Sequence, residues 1–102
     1  MNHKLFLGEL KTLISSYDSK ARVILFGSRA RGDFKTDSDW DLLILTTEKV
    51  TAGYRNNLID LIFDLELKYS QQVSTLISTQ KNWEEWEILP LYKNIAREGV
   101  LI

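Results

Sequence analysis

The sequence predicts an α/β fold of the α+β kind, a small mixed β-sheet with helices packed mainly on one face. Three observations carry that reading. Short β-branched and aromatic runs at residues 23–26, 39–45 and 73–77 have the length and composition of strands. Apolar residues recur at helical spacing over residues 3–17 and about 52–68. The resulting order is helix, strand, strand, helix, strand and two shorter helices, and such a series buries its apolar faces as helices layered on a sheet.

Each element has its own signal. Leu5, Phe6, Leu10, Leu13, Ile14 and Tyr17 give the first helix an apolar stripe. Val23 to Phe26 makes a buried strand closed by Gly27. Ser28 to Gly32 reads as a turn or the first turn of a short helix, and the polar Asp33 to Ser38 as a loop. Asp39 to Leu45 is a second strand, polar on one side at its start and wholly apolar at its end. Tyr54, Leu58, Leu61, Ile62 and Leu65 line the second long helix, where Asp64 and Lys68 are spaced to pair at i,i+4. Val73 to Ile77 is the third strand. Asn82-Trp83-Glu84-Glu85 has the pattern of a capping box before a short helix. Pro90 starts a final helix and Gly99 ends it, with Leu91, Tyr92 and Ile95 expected to face inward. No repeat, linker or low-complexity segment interrupts the chain, so residues 1–102 are expected to form one domain.

Composition narrows the function. The 102 residues are 44% hydrophobic, enough for a small core. There is no cysteine, which excludes a disulfide framework and thiolate metal sites and is compatible with a reducing cytoplasm. No apolar run approaches the length of a membrane span. The stretch Met1-Asn2-His3-Lys4-Leu5-Phe6-Leu7 does not read as a signal peptide, so a cytoplasmic location is expected. A formal net charge of −1 argues against an extended nucleic-acid surface. Yet Lys20, Arg22, Arg29, Arg31 and Lys35 share one segment with Asp33, Asp37, Asp39 and Asp41. That mixture suits a small anion with bound cations.

The segment holds the chemistry. Gly27 and Ser28 close the first strand, and after ten residues come Asp39, Trp40 and Asp41. Alternation along a strand turns Asp39 and Asp41 to one face and Trp40 to the other. Two adjacent carboxylates repel unless a cation lies between them. Magnesium is the natural choice, being hard and bound by one or two carboxylates plus phosphates and water. A pair of such ions can hold both the attacking and the leaving oxygen of phosphoryl transfer. Gly27 lets backbone approach closely, and Ser28 offers a hydroxyl and an amide to phosphate. Arg31, and with less support Arg29, can add forked donors for a triphosphate. A Gly-Ser pair alone is usually a turn, and Asp-x-Asp alone is usually solvated surface. On a strand that runs into a core the surface reading weakens, because like charges there need a purpose.

Gly27-Ser28, ten residues, then Asp39-Trp40-Asp41 is similar to the signature of the DNA polymerase β-like nucleotidyltransferase superfamily. The form Gly27-Ser28-Arg29-Ala30-Arg31-Gly32, with Ser38-Asp39-Trp40-Asp41-Leu42, resembles the minimal nucleotidyltransferases of prokaryotes. So does the ending Pro90-Leu91-Tyr92-Lys93-Asn94-Ile95-Ala96-Arg97-Glu98-Gly99. The resemblance implies that Gly27, Ser28 and Arg31 bind the triphosphate and that Asp39 and Asp41 bind magnesium. It also implies an activity: transfer of a nucleoside monophosphate, AMP from ATP, to a hydroxyl. In that group the acceptor is often a tyrosine of a HEPN-domain toxin, for which the transferase is the antitoxin.

One departure stands out. The superfamily commonly supplies a third carboxylate from the next strand, and here Ser74 occupies that position. Asp60, Asp64 and Glu66 sit on the preceding helix and read as its solvent face. The departure keeps open a second function, a nucleotide- or partner-binding antitoxin with weak transfer. A third, nucleotidylation of a small molecule such as an aminoglycoside, usually involves a second domain. Outside the segment, His3 is expected at the surface. Trp83 and Trp86 are expected to pack a helix on the sheet rather than to stack on a base.

Overall fold

The computed structural model describes residues 3–102. Met1 and Asn2, which begin the N-terminal stretch discussed above, lie outside the described residues. Four strands and five helices follow in the order α1 (His3–Tyr17), β1 (Arg22–Phe26), α2 (Ser28–Arg31), β2 (Trp40–Thr46), α3 (Ala52–Tyr69), β3 (Val73–Thr79), α4 (Gln80–Glu84), α5 (Pro90–Glu98) and β4 (Val100–Leu101). The sheet has the order β3-β2-β1-β4, with β2 parallel to β3 and β1 antiparallel to both its neighbours. It is the mixed sheet expected.

β2 is interior to the sheet, and this explains its apolar run. Its residues from Leu42 to Thr46 are all buried, as is Trp40. Trp40, Leu42 and Ile44 face α1 and α3 and meet Phe6, Leu10, Ile14, Leu58 and Ile62. Leu43 and Leu45 face the other way and meet Trp83 of α4 and Ile95 of α5. The long helices therefore share one face, while two short helices cover part of the other. Each fully buried leucine or isoleucine contributes about 1.5–3 kcal/mol.

Local chemistry sets the ends of the helices. Thr51 caps α3, its side chain accepting from Tyr54 N–H at 3.0 Å. Pro90 opens α5 as expected. Gly99 ends it through space rather than through a left-handed turn: a Cβ there would stand 2.5 Å from Ile95 O and 2.7 Å from Ile24 Cγ2. That close approach lets the chain turn at once into β4, a two-residue strand too short to show a sequence pattern.

Several local expectations differ. The cap of α4 is Thr79, whose Oγ1 accepts from Asn82 N–H at 3.1 Å, so Asn82 lies inside the helix instead of capping it. Lys68 pairs with Glu9 of α1 at 3.0 Å rather than with Asp64, because the two long helices pack side by side. Leu91 is exposed, whereas Ile95 is buried. Trp83 is buried and stacks on Tyr92 at 5.1 Å between ring centroids, but Trp86 is half exposed. His3 is partly buried, its ring edge-on to Phe34 and Trp40. No helix among the described residues is long and apolar enough to cross a membrane.

Candidate active site

β1 ends in the sheet at Phe26, opposite Asp41 of β2. Gly27 then takes φ 74° and ψ −160°, a conformation that side chains strain to reach, and Ser28 opens the single turn of α2. The glycine is required twice over, because a Cβ at this position would run into the Asp41 carboxylate. Asp41 thus lies against the backbone of the turn.

Asp39 stands one residue ahead of β2, and its Oδ2 accepts from Ser74 Oγ at 3.1 Å. Ser74 is the register partner of Asp41 in the parallel ladder, two residues before the Leu43–Leu76 pair and so on the same face. Leu43 and Leu76 pack with α4 and α5, so Asp41 and Ser74 open on that same face. Asp41 is partly buried. Its pKa is raised, first by burial and then by the charge of Asp39, with Glu98 adding to the rise and Arg31 opposing it. The two carboxylates therefore repel, and a cation placed between them would relieve the repulsion.

Arg31 approaches from α2. Its Nε donates to Asp33 Oδ2 at 3.2 Å, and its Nη1 lies 3.2 Å from both oxygens of Glu98. Glu98 also accepts from Gly27 N–H at 3.1 Å. Sequence reasoning singled out the C-terminal segment but not this carboxylate. The available signal was its sign: an acid in the last turn of a helix faces the negative end of the dipole.

Arg29 is placed otherwise. It is 7% exposed, and its guanidinium donates to Ser38 O at 2.9 Å and Thr36 O at 3.3 Å. It lies 4.5 Å from the ring centroids of both Phe34 and Trp40. Its charge is spent on bracing the loop, not on the space in front of the aspartates. Gly27, Ser28, Arg31, Asp39 and Asp41 come together; Arg29 supports them from behind. The other helix acids do not join. Asp60 and Asp64 are exposed, and Glu66 Oε2 accepts from Val73 N–H at 3.0 Å.

The donor set fits a hard divalent ion. Among the described residues no group of three or more histidines, cysteines or acids converges on one point. Asp39 and Asp41 could supply two carboxylate ligands to a hard divalent ion such as magnesium, which also accepts phosphate and water oxygens.

Residues 4–102 match a family described as a nucleotidyltransferase domain. The chain belongs to the nucleotidyltransferase family. Within it, the chain is 39% identical over 74 residues to a candidate protein adenylyltransferase of Methanocaldococcus jannaschii, an alignment spanning 72% of this chain and 73% of that protein. It is similar in structure to a candidate minimal nucleotidyltransferase, with a TM-score of 0.64 and 25% identity over 100% of this chain and 97% of that one. The fold is shared with a chain from a complex of tri-AMPylated Shewanella oneidensis HEPN toxin and MNT antitoxin, at a TM-score of 0.62 and 15% identity, covering 96% and 69%. This nucleotidyltransferase shares its mixed sheet and helix arrangement with those two structures.

Proposed function

We propose that the chain transfers AMP from ATP to a tyrosine hydroxyl of a HEPN-type partner protein and acts as its antitoxin in the cytoplasm. The observation that carries this reading is the meeting of Asp39 and Asp41 with the Gly27-Ser28 turn and Arg31 on one open face. The name of the Methanocaldococcus relative and the AMPylated HEPN complex support the choice of AMP and of a protein acceptor.

The acceptor oxygen attacks the α-phosphorus of ATP. The bond from that phosphorus to the oxygen bridging the β-phosphate breaks, pyrophosphate leaves, and the hydroxyl proton passes to water. Gly27, Ser28 and Arg31 hold the triphosphate and neutralise part of its charge. Asp39 and Asp41 would hold magnesium, which would supply positive charge to offset that of the phosphates. Ser74 orients Asp39 through its hydroxyl but cannot take up a proton as a carboxylate would.

That last contact favours a second reading, an antitoxin that binds nucleotide and partner and transfers slowly. Labelled ATP, magnesium and a HEPN-type partner separate the two. Label on a partner tyrosine is expected; a stable complex without label would leave the binding module standing.

A further inference from the structure

Glu98 closes α5, and its carboxylate ends on two groups assigned above to phosphate. Its Oε1 accepts from Gly27 N–H at 3.1 Å, and Arg31 Nη1 lies within 3.2 Å of both its oxygens. One backbone amide and one guanidinium are the donors a phosphate oxygen would take. Its partner Arg31 is 46% exposed and open to an incoming anion, while the Glu98 side chain is only 13% exposed. It is also held against opposing fields. The carboxylate meets the negative end of the α5 dipole, and it adds to the crowding of negative charge at Asp41. Burial of α5 rests on Ile95 and its turn into β4 on Gly99. The acid is explained by the donors it reaches.

We propose that Glu98 stands in for a nucleotide phosphate: it occupies the Gly27 amide and the Arg31 guanidinium in the nucleotide-free chain, and an incoming triphosphate displaces it. The inference rests on the nucleotide reading above. Gly27 N–H carries a single hydrogen, so a phosphate oxygen that takes it must displace Glu98 Oε1. Arg31 keeps Asp33 through Nε, so the guanidinium stays anchored while its other edge changes partner. Displacement removes one of three holds on the end of α5, the others being the burial of Ile95 and the close packing of Gly99. Val100 and Leu101 follow within three residues, so the short pairing of β4 with β1 loosens with it. Occupancy of the site is thereby passed to the edge of the sheet, where Val100 and Leu101 are exposed.

The test is calorimetric titration of ATP with magnesium into the full chain and into Glu98→Gln. Glutamine keeps the size and an acceptor for Gly27 N–H but removes the competing charge, and affinity is expected to rise about tenfold. Amide hydrogen exchange of the unmutated chain is the second arm and needs no variant. Residues 98–101 should exchange faster when ATP and magnesium are bound. Equal or weaker binding by Glu98→Gln overturns the displacement, and so does exchange at 98–101 that is unchanged or slowed. Glu98 would then be a positioning residue for Arg31. If both folded proteins fail to bind ATP, the nucleotide reading itself falls and takes the displacement with it.

Discussion

The two faces of the sheet are built to different ends. On the α1–α3 face, Phe6, Leu10, Ile14, Leu58 and Ile62 close over Trp40, Leu42 and Ile44, and none of the eight is more than 2% exposed. On the α4–α5 face, Leu43 and Leu45 are covered by Trp83 and Ile95, but two residues earlier stand a partly buried Asp41 and an exposed Ser74. A single strand, β2, serves both, since alternate residues belong to opposite faces. The difference teaches how a small chain separates stability from chemistry. One face is a dry core, and the other is left short by one rung so that charged groups can stand at its rim.

The sharpest way to break that division is at the carboxylates. Asp39→Asn and Asp41→Asn should each lower single-turnover transfer by at least about a thousandfold. The thermal midpoint should not fall, because neutralising one member relieves a repelling, partly buried pair. A melt that falls together with activity would mean that the rim also carries the fold.

The opposite result is expected on the closed face. Leu42→Ala should cost about 3 kcal/mol in urea denaturation, since Leu42 is fully buried between β2 and the long helices. Leu91→Ala, on an exposed position of α5, should stay within about 0.5 kcal/mol.

Ser74→Asp sharpens the comparison from the chemical side. A carboxylate restored beside Asp39 should raise transfer to a competent acceptor about a hundredfold, with little gain in ATP affinity. It should also lower the thermal midpoint in EDTA, with magnesium restoring it, because the new charge replaces a hydroxyl that donates to Asp39 at 3.1 Å. A variant that folds, binds nucleotide and shows neither effect would remove Ser74 from the account of slow transfer.

A modest effect is expected at the polar end of the helix pair. Tyr54 donates its hydroxyl to Asp18 Oδ2 at 2.8 Å, and Tyr54→Phe should cost about 1 kcal/mol. The Tyr54 pKa is pushed above the ordinary tyrosine range, first by burial and then by the bond to Asp18. A raised folded value means that this contribution is complete below the ordinary range and is lost as pH rises through the folded value. Denaturation curves of the parent and the phenylalanine variant should therefore draw together in strong alkali.

Most of the architecture was legible because period and punctuation agree in this chain. The stripe from Leu5 to Tyr17, the apolar series from Tyr54 to Leu65 and the pair Pro90 and Gly99 all mark elements found where expected. Ser74 was placed at the acidic position by the resemblance, and the parallel register makes it the partner of Asp41. What escaped depends on contacts between distant segments. Glu98 meets Gly27 across 71 residues, and Lys68 meets Glu9 across 59, so neither partner is visible in a local pattern. Arg29 lies in a motif whose neighbours handle phosphate, and only the loop's fold shows its guanidinium turned inward. β4 is too short to have a period at all.

That inward turn has a consequence for how the motif tolerates change. The guanidinium of Arg29 grips the carbonyls of Thr36 and Ser38 while Phe34 and Trp40 lie against it, so both ends of the loop are fastened to one side chain. The ten residues between Ser28 and Asp39 act as a ruler, and Arg29 is the rivet that fixes its length. An insertion anywhere in the loop would slide Asp39 along its strand or pull a carbonyl from the rivet. A spacing that looks in sequence like an arbitrary gap is thereby converted into a set distance between the turn and the two carboxylates.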